Sequence, residues 1–212
     1  VTAGAPGLEA TAWTRVQLGH LRFKRGALDG ARADYEAALR EMPGYIHALA
    51  GLGRVAAARG EWQGAIDYYQ RATATVPLPE YVMALGDVYA AAGDRAAAEE
   101  AFALVRVQNR LLAANGVNTD VEFALFAADR PAPGEDPRAV VDRARAAVAA
   151  RPGAIYARDA LAWALYRAGE YEEAGREIEL ALRLGTQDAL LLYHAGMIAR
   201  ARGDEEGGRR ML

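Results

Sequence analysis

The sequence predicts an all-α fold of repeated antiparallel helix pairs, and three observations carry that prediction. One phrase recurs at a period of 34 residues: Leu18-Gly19 returns as Leu52-Gly53, Gly26 as Gly60, Ala31 as Ala65, Tyr35 as Tyr69, Ala38 as Ala72 and Pro43 as Pro77. Six coincidences at one period identify an internal repeat. Within each phrase the apolar residues recur at helical spacing, as Leu161, Leu165 and Tyr166 do in the clearest copy, Ala160 to Ala174. The composition is rich in Ala and Leu, modest in Val and Ile and poor in Thr, which favours helix over sheet. A lone helix pair cannot bury its own apolar face, so neighbouring copies must stack.

Taken in order, residues 1–8, with Gly4, Pro6 and Gly7, read as a flexible lead-in, and residues 9–212 as a single repeat domain. Trp13, Val16, Leu18, Leu21 and Phe23 mark the first helix, which Gly26 interrupts. Leu28, Ala31, Tyr35, Ala38 and Leu39 mark the second. Met42-Pro43-Gly44 stops it, because proline lacks the amide proton and disfavours helix just before itself. After the second copy a third follows, contracted by one residue, with Leu85-Gly86, Tyr89, Gly93, Ala98 and Phe102. Its second helix runs on through Val105, Val107, Leu111 and Leu112 toward Asn115-Gly116, since no proline stops it. Asn118-Thr119-Asp120 offers side-chain caps for a helix from Val121 to Asp129. Pro131 to Pro137 reads as a stiff loop, and Pro137 suits the first turn of a helix ending at Arg151-Pro152-Gly153. Val121 to Pro152 is thus a degenerate fourth pair, with an irregular insert at about 109–137, in one continuous array; the alternative is two three-repeat blocks joined by a hinge. The fifth copy holds Leu161-Ala162, Gly169, Ala174 and Ile178, and a sixth, with Ala195-Gly196 and Gly203, breaks off at Leu212. The expectation is about five to six repeats and about ten to twelve helices.

The spacing of these small and bulky apolar positions resembles that of the tetratricopeptide repeat family, over about Thr11 to Gln108 and Ile155 to Leu212. The resemblance implies a right-handed superhelical solenoid whose concave groove is lined by the first helix of each pair. It also implies a noncatalytic scaffold that binds peptides or partner proteins. One branch of the family holds a peptide C-terminal carboxylate with Lys and Asn of the first helices. Val16 and His20 stand at those places here, so chaperone-tail binding is not expected.

Composition and motifs exclude several classes. Lys and Arg total 25 against 28 Asp and Glu, a net charge of −3, and no basic stripe marks a nucleic-acid binder. With no Cys, disulfides and thiolate metal sites are excluded, and the compartment is left undecided. No apolar run approaches the roughly 20 residues that span a bilayer, so direct membrane insertion is not expected. No signal-peptide pattern occurs, and the start at Val1 and the stop at Leu212 suggest a fragment or processed form. His20, His47 and His194 lack the spacing of a metal site. Asp87 with Asp94, or Glu172 with Glu173, would have to face each other across a cleft to act as acid and base, and they read instead as solvated helix-face or turn charges. Glu99-Glu100 and Asp204-Glu205-Glu206 sit near helix starts, where the dipole favours them. No phosphate loop or nucleophile elbow is present, and Gly51-Leu52-Gly53 reads as a packing feature. No enzyme, cofactor or metal is expected.

The groove follows from the small residue that each first helix turns toward its partner: Gly19, Gly53, Gly86, Ala162 and Gly196. Residues at −6, −3, +1 and +4 from it fall in one arc of roughly 80°. The candidate peptide-binding residues on that arc are Trp13, His20, Phe23 and Arg54 in the first copies, and Tyr156, Asp159, Trp163, Tyr166, Tyr193, Met197 and Arg200 in the last two, with Arg167 on the rim. Aromatic, Met and Arg side chains of this kind are enriched at protein interfaces. The expected partner is a protein or peptide. The alternative is a structural module of a larger protein that self-associates through its truncated C-terminal repeat.

Overall fold

The computed structural model describes residues 7–117 and 120–212, and among these there are twelve α-helices and no strand. They form six pairs in chain order: α1 (Leu8–Lys24) with α2 (Leu28–Glu41), α3 (Ile46–Ala58) with α4 (Trp62–Thr75), α5 (Pro79–Ala91) with α6 (Arg95–Ala114), α7 (Asp120–Asp129) with α8 (Pro137–Ala150), α9 (Ile155–Arg167) with α10 (Tyr171–Leu182), and α11 (Ala189–Ala201) with α12 (Glu205–Met211). Two compact units result, Val1–Arg110 and Leu111–Leu212. The lead-in expected at 1–8 lies mostly outside the described residues, as do Asn118 and Thr119 of the expected cap. The insert expected at about 109–137 is largely helical. α6 reaches Ala114, α7 occupies 120–129, and only 115–117 and 130–136 are irregular among the described residues.

Five of the six pairs turn in the same way. Gly26, Gly60, Gly93, Gly169 and Gly203 have φ of 74°, 72°, 89°, 82° and 88°. The amide of the next residue reaches back to the carbonyl five residues before it: Ala27 to Arg22, Glu61 to Ala56, Asp94 to Tyr89, Glu170 to Leu165 and Asp204 to Ala199, at 2.9–3.0 Å. This is the Schellman arrangement, in which a left-handed glycine lets otherwise orphaned carbonyls at the helix end be satisfied. The α7–α8 connection is longer, and its positive-φ glycine, Gly134, lies within the loop rather than at the end of α7. There Glu135 accepts from the Ala132 amide at 2.9 Å, and Asp136 caps α8 by accepting from the Arg138 amide at 2.9 Å, with Pro137 in the first turn.

Close approach inside five of the six pairs rests on one contact. Gly19, Gly53 and Gly86 lie under the rings of Tyr35, Tyr69 and Phe102, each sixteen residues later; a Cβ on Gly53 would stand 2.8 Å from the Tyr69 ring. Gly196 meets Leu212 at the same offset, where a Cβ would stand 2.8 Å from the leucine Cγ. In the fifth pair the small residue is Ala162, and the residue sixteen later is the smaller, unringed Ile178; both are buried. The bulk on one helix therefore complements the space left on the other. Gly51 also fits under Tyr35, carrying the packing into the next pair.

In the first unit the core comprises Val16, Tyr35, Leu52 and Val55, then Ile66, Tyr69, Leu85 and Val88. In the second it comprises Val141, Leu161, Trp163, Leu165, Ile178, Leu191 and Ile198. Each such large side chain contributes about 1.5–3 kcal/mol by leaving water. Ion pairs repeat as well: Arg59 reaches Asp29, and Arg202 reaches Glu172 at 3.2 Å, both joining a turn to the second helix of the preceding pair. Exposed pairs of this kind add up to about 1 kcal/mol each, so the buried contacts dominate.

The ring-over-glycine contact makes a prediction. Gly53→Leu drives a side chain into Tyr69 and should cost about 1–3 kcal/mol, read as a lower urea midpoint. Gly53→Ala combined with Tyr69→Ile, which copies the natural Ala162 and Ile178 pairing, should cost less than the sum of its two single substitutions.

Candidate functional site

In the first unit the candidate surface is built by α1, α3 and α5. α1 packs on α3, and the His47 ring and Tyr81 hydroxyl, 2.5 Å apart, tie α3 to α5. The residue following each small position projects beside its neighbours, giving a row of His20, Arg54 and Asp87. His20 shares a 2.8 Å hydrogen bond with the Tyr35 hydroxyl. The exposed Arg54 guanidinium lies 5.6 Å over the centre of the Phe23 ring and beside the buried Tyr69 hydroxyl. Trp13, on the same helix as His20 and Phe23, is 54% exposed. The structure thus brings His20, Phe23 and Arg54 together, with Trp13 further along α1.

Burial sets the electrostatics of this face. His20 titrates below its ordinary 6.5, first because partial burial disfavours its charged form, then because Arg54, His47 and Lys24 repel it. Tyr81 is pushed up to about 12, by burial and then by Glu80, and stays a neutral phenol. Burial raises Tyr35 and Tyr69 too, against the pull of Arg54.

In the second unit two of the expected surface residues are interior. Asp159 is 1% exposed and Trp163 4%. The reason is the position of α9, which packs against α7, α8, α10 and α11 and so is covered nearly all round. Asp159 is hydrogen-bonded to His194, itself 2% exposed, at 2.8 Å. Trp163 stacks between the rings of His194 and Tyr166, at 4.2 and 4.7 Å, and donates its indole N–H to Asp129 at 2.8 Å. Arg167 donates to the same Asp129 oxygen at 3.3 Å. Tyr166 and Met197 are half-buried against this core, and Arg200 pairs with Glu205 at 3.2 Å. Tyr156 and Tyr193 remain at the surface, 49% and 45% exposed.

The residues that the sequence reading missed are Asp129, His194 and Tyr81. The repeat period itself points to Asp129: it precedes Trp163 by one period, just as Ala128 precedes Ala162. The interior place of α9 is signalled by Ala157, Ala160, Ala162 and Ala164, which leave no polar stripe.

Two predictions follow from these environments. Trp163→Ala should cost about 3–5 kcal/mol and collapse the thermal melt, as expected for a buried ring. For His20 the unfolded chain takes up its proton near 6.5 and the folded chain only at lower pH, so between the two the unfolded state binds more protons. Stability contributed by neutral His20 is therefore present above that window and lost as pH falls through it. Acidification from about pH 8 to 5 should lower the urea midpoint more steeply in the native chain than in His20→Gln.

No helix among the described residues is long and apolar enough to cross a membrane. Among curated proteins none matches the chain in sequence. Residues 22–88 match the model of the tetratricopeptide repeat. Among solved structures, PilF of Pseudomonas aeruginosa is 19% identical, with 97% of this chain and 90% of that one covered and a TM-score of 0.56. PilW, described as a widely conserved type IV pilus biogenesis factor, is 17% identical over 94% of this chain and 90% of its own, with a TM-score of 0.57. A tetratricopeptide repeat protein from Parabacteroides merdae is 16% identical over 95% and 77%, with a TM-score of 0.50. Identities this low carry the fold alone. Sequence over residues 22–88 matches the tetratricopeptide repeat, the described residues of both units share the helix-pair architecture of these solved structures, and the chain has an all-α helical-repeat fold.

Proposed function

We propose that the chain is a noncatalytic interaction scaffold that binds a peptide or protein segment on the first-helix face of its first unit. The observation that supports this reading is the exposure of Trp13 beside a face where Arg54 overlies Phe23. Aromatic and arginine side chains at a surface are the groups that most often anchor a partner. An extended or helical segment lays apolar side chains between such rings while its polar groups meet the charged rim. In the second unit Tyr156 and Tyr193 supply the accessible aromatic surface, whereas Trp163 and Asp159 act from within the core.

The test uses segments selected by the intact chain from a displayed peptide library and measured by fluorescence anisotropy. Trp13→Ala and Phe23→Ala should each weaken binding, a central anchor by about 2 kcal/mol or thirtyfold, while the melt is unchanged. Binding that survives both substitutions would remove the site from this face.

A second reading is favoured by the last helix pair, where Leu190, Tyr193, Met211 and Leu212 are exposed together. On that reading the chain self-associates through α11 and α12. Light scattering should then show mass rising with concentration, and Tyr193→Glu should return it to the monomer.

A further inference from the structure

The end of α6 carries a feature that neither peptide binding nor self-association uses. α6 runs to Ala114, yet its last buried side chain is Val105. Asn115, Gly116 and Val117 follow it, all exposed. Gly116 has a φ of 75°, and the Val117 amide reaches back to the Leu112 carbonyl at 3.0 Å, the closure that the other glycine turns use. What differs is the residue before the glycine. It is Arg25, Arg59, Ala92, Ala168 or Arg202 in the five first-helix turns, and asparagine here. Of the chain's asparagines, 109, 115 and 118, Asn115 alone precedes a glycine. Its side-chain nitrogen donates to the Leu111 carbonyl at 2.7 Å, and the Gly116 amide donates to the Ala113 carbonyl at 3.0 Å. A glycine that follows asparagine has no Cβ to keep its amide nitrogen from reaching the asparagine Cγ.

We infer that Asn115 is a site of spontaneous deamidation whose rate is set by the opening of the last turn of α6. Hydroxide removes the Gly116 amide proton, and the nitrogen attacks Cγ of Asn115. The N–Cγ bond forms, the Cγ–Nδ2 bond breaks, and Nδ2 leaves as ammonia with a proton from water. Water then opens the five-membered imide. Addition at Cγ gives aspartate, and addition at the main-chain carbonyl gives isoaspartate, in which the chain runs through the β-carbon. Water is the only co-reactant. While the turn is closed both groups are engaged, the attacking nitrogen with Ala113 and the leaving nitrogen with Leu111. No buried side chain anchors this end of the helix, so the two bonds open by fraying, without unfolding of either unit. The product cannot restore them. A carboxylate has no N–H for the Leu111 carbonyl, and its charge meets the negative end of the helix dipole. Modification therefore holds the turn open, on the helix within which the boundary between the two compact units falls, after Arg110.

The test incubates the intact chain at neutral and at mildly alkaline pH and follows it by peptide mapping with mass spectrometry. A synthetic peptide of residues 109–121 serves as the unfolded reference. Asn115 should gain the mass difference between an amide and an acid, faster at the higher pH and several-fold more slowly in the chain than in the peptide. Ala114→Gly, which weakens the last turn, should bring the chain's rate toward that of the peptide. Asn115→Gln, whose longer side chain would have to close a larger ring, should remove the change at this site. Asn115→Asp should speed amide hydrogen exchange over residues 111–117 several-fold. No mass change at Asn115 in the chain would overturn the site. Equal rates in chain and peptide, or a rate indifferent to Ala114→Gly, would overturn control by the turn. Unchanged exchange in Asn115→Asp would overturn the loosening of α6.

Discussion

The structure depends on how closely two helices of a pair can approach. With glycine at positions 19, 53 and 86, an aromatic ring of the second helix lies directly on the backbone of the first. A helix-interior glycine costs about 1 kcal/mol of intrinsic stability relative to alanine. The ring that it admits returns more, since a buried aromatic removes a large apolar area from water and fills a dense interior. The contact is also self-limiting: where the first helix carries Ala162, the second carries Ile178 in place of a ring. Two positions sixteen residues apart thus vary together because they share one volume.

From that contact the rest follows by direction. Once the small residue is turned toward the partner helix, the residue after it is carried to the side of the helix that meets the neighbouring pair. In the first unit this gives the row of His20, Arg54 and Asp87, open to solvent at Arg54. In the second unit the corresponding row contains Asp129 and Trp163, and there it closes into a hydrogen bond of 2.8 Å. The difference lies in what surrounds each row. α9 is enclosed by four helices, so Asp159 and Trp163 become core and their polar atoms must find partners. Asp159 pairs with the buried His194, and Trp163 reaches outward to the exposed Asp129, which Arg167 shares. A buried pair such as Asp159 and His194 is costly to break and specifies how α9 and α11 meet, which ties register to chemistry.

The electrostatics of the first unit come from the same geometry. Tyr35, Tyr69 and Tyr81 have apolar bodies in the core and hydroxyls that reach His20, Arg54 and His47. Each hydroxyl remains a neutral phenol, because burial raises its titration, and that of Tyr69 accepts from Arg54. The core aromatics therefore form the floor on which the basic side chains rest, and a change in packing is felt at the surface.

The amino-acid sequence by itself determined the helix pairs, their turns and their closest contacts. Those features are local or strictly periodic: a glycine with positive φ ends five of the six first helices, a proline follows three of the second helices, and in five pairs sixteen residues separate the small position from its bulky partner. The candidate face of the first unit was legible for the same reason, since His20, Phe23 and Arg54 lie at fixed offsets from Gly19 and Gly53. Tertiary structure alone decided which offsets remain at the surface. Trp163 and Asp159 occupy groove positions by periodicity, yet four neighbouring helices bury them, whereas Tyr156 and Tyr193 stay exposed. Periodicity fixes the direction in which a side chain points along its own helix. Burial depends on how many other helices arrive from that direction, and that is a property of the packed unit rather than of the repeat.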